Sequence, residues 1–212
     1  MADKDKQTKF KIFQIAIGLF KEKGFDSVTI LDICAASAVS KHTFYYYFAS
    51  KDELLMAFHH MPENIHADCL QDILAAENSF EQYMLLTEHM TNFFIELGPE
   101  ISKRIISLNV TRKSNSLEDI HKHKLRETEA GIIRKAQAAG EIRNQSNADM
   151  LVGISFGLLF SAVFHWSMSD GNAFGLREMT RAALETALDV RPDLRKGHGN
   201  IAWLHSHDCS TK

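Results

Sequence analysis

Residues 40–48 read Ser-Lys-His-Thr-Phe-Tyr-Tyr-Tyr-Phe, and Ala-Ser-Lys-Asp-Glu-Leu follows at 49–54. On a helix at about 100° per residue, Phe44 and Phe48 share one face, and His42 and Tyr46 point the opposite way. Thr43 and Tyr45 flank the outward pair, and Tyr47 lies on the rim beside Thr43. Phenols and hydroxyls donate to phosphate oxygens. Aromatic rings contact sugars and thymine methyls, and an imidazole can hydrogen-bond a base edge. Lys41 and Lys51 place a positive charge at each end for phosphates. Phe44 and Phe48 are assigned to packing. Three successive tyrosines cannot all be buried by one short helix in a small head, so an outward nucleic-acid face is expected, with Tyr47 the tyrosine most suited to pack against the first helix.

Such a helix needs neighbours to hold it. Phe10, Phe13, Ile17 and Phe20 repeat at spacings of three and four, which predicts a first helix over about 4–23 that Gly24 stops. Thr29 with Asp32 resembles a capping box and predicts a second helix through about Ala36. Ser40 has the chemistry to cap the third, and Ser50 with Glu53 reads as a clearer capping box for a fourth. Helix N-terminal amides favour phosphate, so the capped ends at Thr29 and Ser50 can clamp a nucleic-acid backbone. Two short helices joined near 37–39 have the layout of a helix-turn-helix.

The remainder reads as longer helices: about 79–97, stopped by Gly98-Pro99; about 100–112; a charged one over about 117–139, ended by Gly140; an apolar one over about 147–169; and about 176–190, with Pro192 closing the core. Pro62 ends or opens a helix, and 113–116 reads as a loop. The chain is 45% apolar and 24% charged, ordinary for a globular protein. The net charge of −3 divides unevenly. Residues 1–51 hold 8 lysines against 5 acids, and the rest holds 16 basic against 22 acidic residues. A slightly basic head on an acidic body suits a polyanion partner.

Residues 10–55 resemble the N-terminal domain of the TetR family of bacterial transcriptional regulators. The resemblance rests on Leu19 to Phe25, Thr29 to Ala36, Val39 to Phe48 and Ser50 to Leu55 and runs without a gap. It implies an all-α fold of about nine helices: a three-helix DNA-binding head over 1–51, with its helix-turn-helix at about 29–48, a ligand-binding and dimerisation domain over 52–192, and a flexible tail over 193–212. It implies a cytoplasmic, homodimeric regulator on a palindromic double-stranded operator, most often a repressor released by a small-molecule effector. The DNA-contacting residues would be Thr29, Ser40, Lys41, His42, Thr43, Tyr45, Tyr46, Tyr47 and Lys51. The family often has glycine at the positions of Ala38 and His42. The departure at His42 makes it a candidate specificity residue.

The body of such proteins encloses a small-molecule pocket. The candidates here are Met84, His89, Met90, Phe93 and Phe94 on one helix and Phe156, Phe160, Phe164 and His165 on another, although methionines and aromatics at helical spacing also fill ordinary cores. Between Asp149 and Asp170 lie 20 residues without formal charge, with Gly153 and Gly157 four apart. Read as a membrane span this segment has too many polar groups, among them Ser155, Ser161, His165, Ser167 and Ser169, and no flanking basic cluster. It is expected instead to be buried on several sides, as in a core that is also a dimer interface. The charged segment 1–11 lacks the apolar run of a signal peptide.

No cofactor and no dedicated metal site is expected. His59-His60 and the pair His121 and His123 diverge on their helices, and His205, His207 and Cys209 lie in the tail. No nucleophile elbow, phosphate loop or His-Glu-x-x-His is present, which leaves an all-helical enzyme the weakest alternative. An architectural or ligand-independent DNA binder is the other.

Overall fold

The computed structural model describes residues 2–57, 71–111 and 124–196, and the side chains from residue 5 onward except that of residue 124. The expectations for Pro62, the 113–116 loop, the histidines at 59, 60, 121, 123, 205 and 207, and the tail from 197 onward lie outside them. Among the described residues every regular element is a helix apart from one antiparallel bridge between Ile142 and Val190. The elements are α1 (Ala2–Lys23), α2 (Ile30–Ser37), α3 (Lys41–Tyr47), α4 (Lys51–Met56), α5 (Ser79–Leu97), α6 (Pro99–Thr111), α7 (Lys124–Ala138), α8 (Ala148–Met168) and α9 (Leu176–Ala187), with a short 3-10 turn at Pro192–Leu194.

The helix starts follow from capping chemistry. The Asn78 side chain accepts from Glu81 N to open α5, and Asn147 does the same for Asp149 N and Met150 N at α8. Gly98 closes α5 with φ 81°, a conformation that disfavours any side chain, and Pro99 then begins α6. The two early caps reverse the expected ranking. The reciprocal box is complete at Thr29–Asp32. At Ser50 the hydroxyl accepts from Glu53 N, but the Glu53 carboxylate accepts from Ala49 N. The extra methylene of glutamate carries its carboxylate one residue further back.

α9 ends at Ala187, earlier than the expected 190. Asp189 takes a positive φ of 47°, and Val190 turns away to pair with Ile142. The segment after Pro192 is tied down as far as it is described: the Arg195 guanidinium donates to Val190 O and Asp189, and Lys196 N donates to Glu185.

One apolar cluster runs from head to body. Phe20 of α1, Ile33 of α2, Phe44 of α3 with its cap residue Phe48, and Leu54 of α4 belong to it, together with Leu97, Ile105, Val163 and Trp166 of α5, α6 and α8. A second cluster fills the far end of the body around Phe80, Met84, Ile133, Leu151 and Leu184. α8 packs against α7, α9, α6 and α5. It is the one helix among the described residues long and apolar enough to cross a membrane.

α9 is fastened to α5 by Arg181, whose guanidinium is 12% exposed and reaches Glu81 and Glu88 at 3.0 Å and Glu185 at 3.4 Å. Removing the cation would leave three carboxylates crowded together, one of them, Glu185, almost fully buried. Arg181→Ala is therefore expected to cost about 3 kcal/mol of unfolding free energy in denaturant titrations.

Burial pushes the Glu129 carboxyl up from its ordinary value to about 7, with Arg126 only partly opposing it. The folded state then holds this proton to higher pH than the unfolded chain. Stability from this group falls as pH rises from about 4.5 to about 7, and is level above that. Glu129→Gln should raise stability by about 3 kcal/mol at pH 8 and change it little at pH 4, a difference that denaturation midpoints at the two pH values would measure.

Candidate nucleic-acid interface

The turn that sets α3 is built without glycine. Ala38 caps α2 in the left-handed region at φ 54° and ψ 43°. Its N–H donates to Ala35 O, and Val39 N–H donates to Cys34 O at 3.0 Å, so the last carbonyls of α2 are satisfied within the turn. The buried Ser37 hydroxyl donates to Ile33 O at 2.6 Å. Ser40 then opens α3, its Oγ accepting from Thr43 N at 3.0 Å and lying 2.8 Å from Thr43 Oγ1.

α3 buries Phe44, with the cap residue Phe48 behind it, and turns the rest outward. Tyr46 is 70% exposed and Tyr45 51%. Lys41 and His42 are exposed, while Thr43 and Tyr47 are half-buried. Tyr45 stands edge-on to Phe44 and Tyr46 edge-on to Tyr47, so aromatic contacts fix two of the exposed rings. The Tyr47 hydroxyl donates to Asp5 of α1 at 2.6 Å, and this bond holds its proton above the ordinary phenol range. The expected packing of Tyr47 on the first helix is therefore present.

Thr29 is exposed, but its hydroxyl donates to Asp32 at 2.6 Å. The hydroxyl and amide of Thr29 hold the Asp32 carboxyl below its usual range. What Thr29 offers outward is a capped helix start. Lys51 is placed differently from the other cations. Its ammonium donates to Phe25 O at 2.8 Å and Val28 O at 2.6 Å and sits over the Phe25 ring, bracing the loop between α1 and α2. The Arg104 guanidinium of α6 lies on the same ring and grips Asp52 through both carboxylate oxygens. This clasp joins α4 to the body.

Leu31, 59% exposed on the first turn of α2, was not among the sequence candidates. The signal for it was present. Ile33, Cys34 and Ser37 form the buried face of α2, which leaves Leu31 turned outward.

The nine body candidates do not converge. Met84 is sealed in the far cluster and Phe94 in the shared one. Met90 and Phe93 pack partly against the shared cluster. His89 and Phe93 border a cavity of about 530 Å3 between α1 and α5. Phe156 and Phe160 stack with centroids 6.2 Å apart. Phe164 is exposed, and His165 borders a separate cavity of about 430 Å3 with Phe174 and Met179. Among the described residues no group of three or more His, Cys, Asp or Glu could hold a metal ion.

Fold and site define a helix-turn-helix head joined through its core to an all-helical body. Residues 12–58 match the model for bacterial regulatory proteins of the tetR family. The chain is 30% identical over 111 residues to the biofilm operon icaADBC HTH-type negative transcriptional regulator IcaR of Staphylococcus aureus (strain Newman), covering 52% of this chain and 56% of that protein. The chain thus spans about half the length of this curated relative. It shares its fold with the TetR-family transcriptional repressor FadR of Thermus thermophilus in complex with lauroyl-CoA, at a TM-score of 0.65 and 17% identity over 85% of this chain and 93% of that one. It shares it also with RolR in complex with resorcinol, at a TM-score of 0.58 and 19% identity over 90% and 92%. Residues 12–58 are thus similar to the DNA-binding segment of the tetR family, and the chain shares the fold of the TetR-family structures over most of its length.

The left-handed alanine gives a test of the turn. An L-residue in that region costs roughly 1–2 kcal/mol, offset in part by the greater unfolded-state freedom of glycine. Ala38→Gly is expected to stabilise the protein by about 0.5–1 kcal/mol in thermal unfolding and to leave the α3 surface unchanged.

Proposed function

We propose that this chain is a homodimeric, cytoplasmic repressor that holds a palindromic operator through α3 and releases it when a small molecule binds. The observation that carries the reading is the α3 surface, where Lys41, His42, Tyr45 and Tyr46 stand exposed on a helix anchored by Phe44. In this reading the head is 1–51 and the body 52–192. His42 and Tyr46 enter the major groove, flanked by Thr43 and Tyr45. Lys41 and the capped starts of α2 and α3, at Thr29 and Ser40, meet phosphates. Tyr47 and Lys51 act from behind, through Asp5 and the α1–α2 loop, and Leu31 adds an apolar contact beside Thr29.

Homodimer formation is supported by α8. Met150, Ile154, Phe164 and Met168 are exposed at helical spacing, with Gly153, Gly157 and Ser161 on the same side. This stripe is apolar or small throughout, which suits close approach of a second copy, and two heads related by a two-fold axis match a two-fold operator. The acyl-CoA and resorcinol bound by the two structural neighbours support a small-molecule effector for this chain.

Gel shifts on the DNA upstream of the protein's own gene test the reading. A sequence-selective complex that weakens with salt is expected. Lys41→Ala should lower the salt slope by about one unit per head and weaken all sequences alike. His42→Ala should alter the preferred base at one half-site position by about 1–3 kcal/mol. No selective complex on that or any genomic fragment would overturn the proposal.

A further inference from the structure

The cavity of about 530 Å3 lies where the head meets the body, outside both apolar clusters' filled interiors. Its walls come from the two sides of the seam: Phe10, Phe13, Ile17 and Gly18 of α1 face Phe93 and Leu97 of α5. Phe13 and Leu97 are themselves members of the shared core, so the cavity floor is the core that carries α3. It is a half-open cleft, and its size is within the range of small-molecule sites.

The polar groups sit at the rim. Lys21 and Glu96 are exposed there and carry opposite charges. Gln14 and Asn92 contribute amides and His89 an imidazole whose Nε2 is buried, and Asn92 Oδ1 already accepts from Arg177 of α9. A ligand with net charge gains nothing from a rim whose charges offset. It would also lose hydration against three phenyl rings. A flat uncharged ring system finds phenyl faces for its body and amides or imidazole for a hydroxyl.

The geometry points to an effector site at this seam, between α1 and α5, that takes a neutral aromatic molecule bearing one or two hydroxyl groups. The inference rests on the ligand-responsive reading above and places the effector at the head–body joint, apart from the body interior. Occupation props α1 away from α5. Because α1 packs on α2, the change tilts the head and moves α3 relative to its partner copy. A ligand favouring the propped state shifts the population away from the DNA-competent one.

Gly18 makes the site testable without unfolding the protein. A Cβ at this position meets nothing within 4 Å, and no positive φ constrains it. Gly18 is exposed at the cleft wall, so Gly18→Leu sets a branched side chain at its mouth and improves the helix propensity of α1. With the full-length chain and 2-naphthol as probe, calorimetry is expected to show one saturable site per chain. Gly18→Leu should weaken that binding at least tenfold while the thermal midpoint holds or rises. 2-Naphthoate and 2-naphthylammonium should each bind at least tenfold more weakly than 2-naphthol. Binding unchanged in Gly18→Leu, tighter binding of either charged analogue, or no saturable binding would overturn the assignment. The gel shift separates the two proposals. If an effector releases DNA equally from wild type and Gly18→Leu, the repressor reading stands and the seam site falls. If 2-naphthol binds in a Gly18-dependent way to a protein that selects no DNA, the seam site stands and the repressor reading falls.

Discussion

The structure depends on one apolar cluster that does not stop at the end of the head. Phe44, which fixes α3, is packed in the same cluster as Ile105 of α6 and Trp166 of α8. A 51-residue head could not bury enough apolar surface to be firmly stable alone, since small domains bury a smaller share of their chain. Here the deficit is made up by the body: Leu54 and Leu55 of α4 reach into the same cluster as Leu97 and Ile101. The direction of α3 is thus a property of the whole molecule. Close-packed interiors pass displacement on rather than absorbing it, so a body helix that shifts carries the head with it.

Two further contacts give that coupling a direction. Arg104 holds Asp52 and lies over the Phe25 ring, while Lys51 lies over the same ring and holds the Phe25 carbonyl. One aromatic residue thereby meets both a cation from the body and a cation from the head. On the opposite flank α1 meets α5 across a cavity. The joint is closely bonded on one side and carries a half-open cleft on the other. The far end of the body is held separately by Arg181 and its three glutamates.

Much of this was readable from residue types. The Phe10, Phe13, Ile17, Phe20 stripe gave α1, and the caps at Thr29, Ser40 and Ser50 mark helix starts because a short polar side chain satisfies amides that the helix leaves open. The wheel over 40–48 separated Phe44 and Phe48 from Tyr45 and Tyr46 correctly, since burial on a short helix is decided by angle alone. What was not readable came from tertiary proximity. Nothing local says that Tyr47 meets Asp5, 42 residues away, or that Lys51 turns inward to Phe25 and Val28. The body candidates scattered for the same reason: a periodic run of methionine and phenylalanine names a face but not which neighbour covers it. Met84 and Phe94 share α5, yet they belong to different clusters.

A molecule lodged at the joint has enough free energy to act as a switch. Burying a small aromatic ring removes roughly 150–250 Å2 from water. At about 25 cal/mol per Å2 this corresponds to about 4–6 kcal/mol before the costs of immobilisation. A hundredfold change in the balance between head orientations needs a difference of only about 2.7 kcal/mol between the two states, at about 1.4 kcal/mol per tenfold. The void must therefore be substantially lost in one orientation and retained in the other, which a seam between α1 and α5 can provide and a cavity within a single rigid bundle cannot.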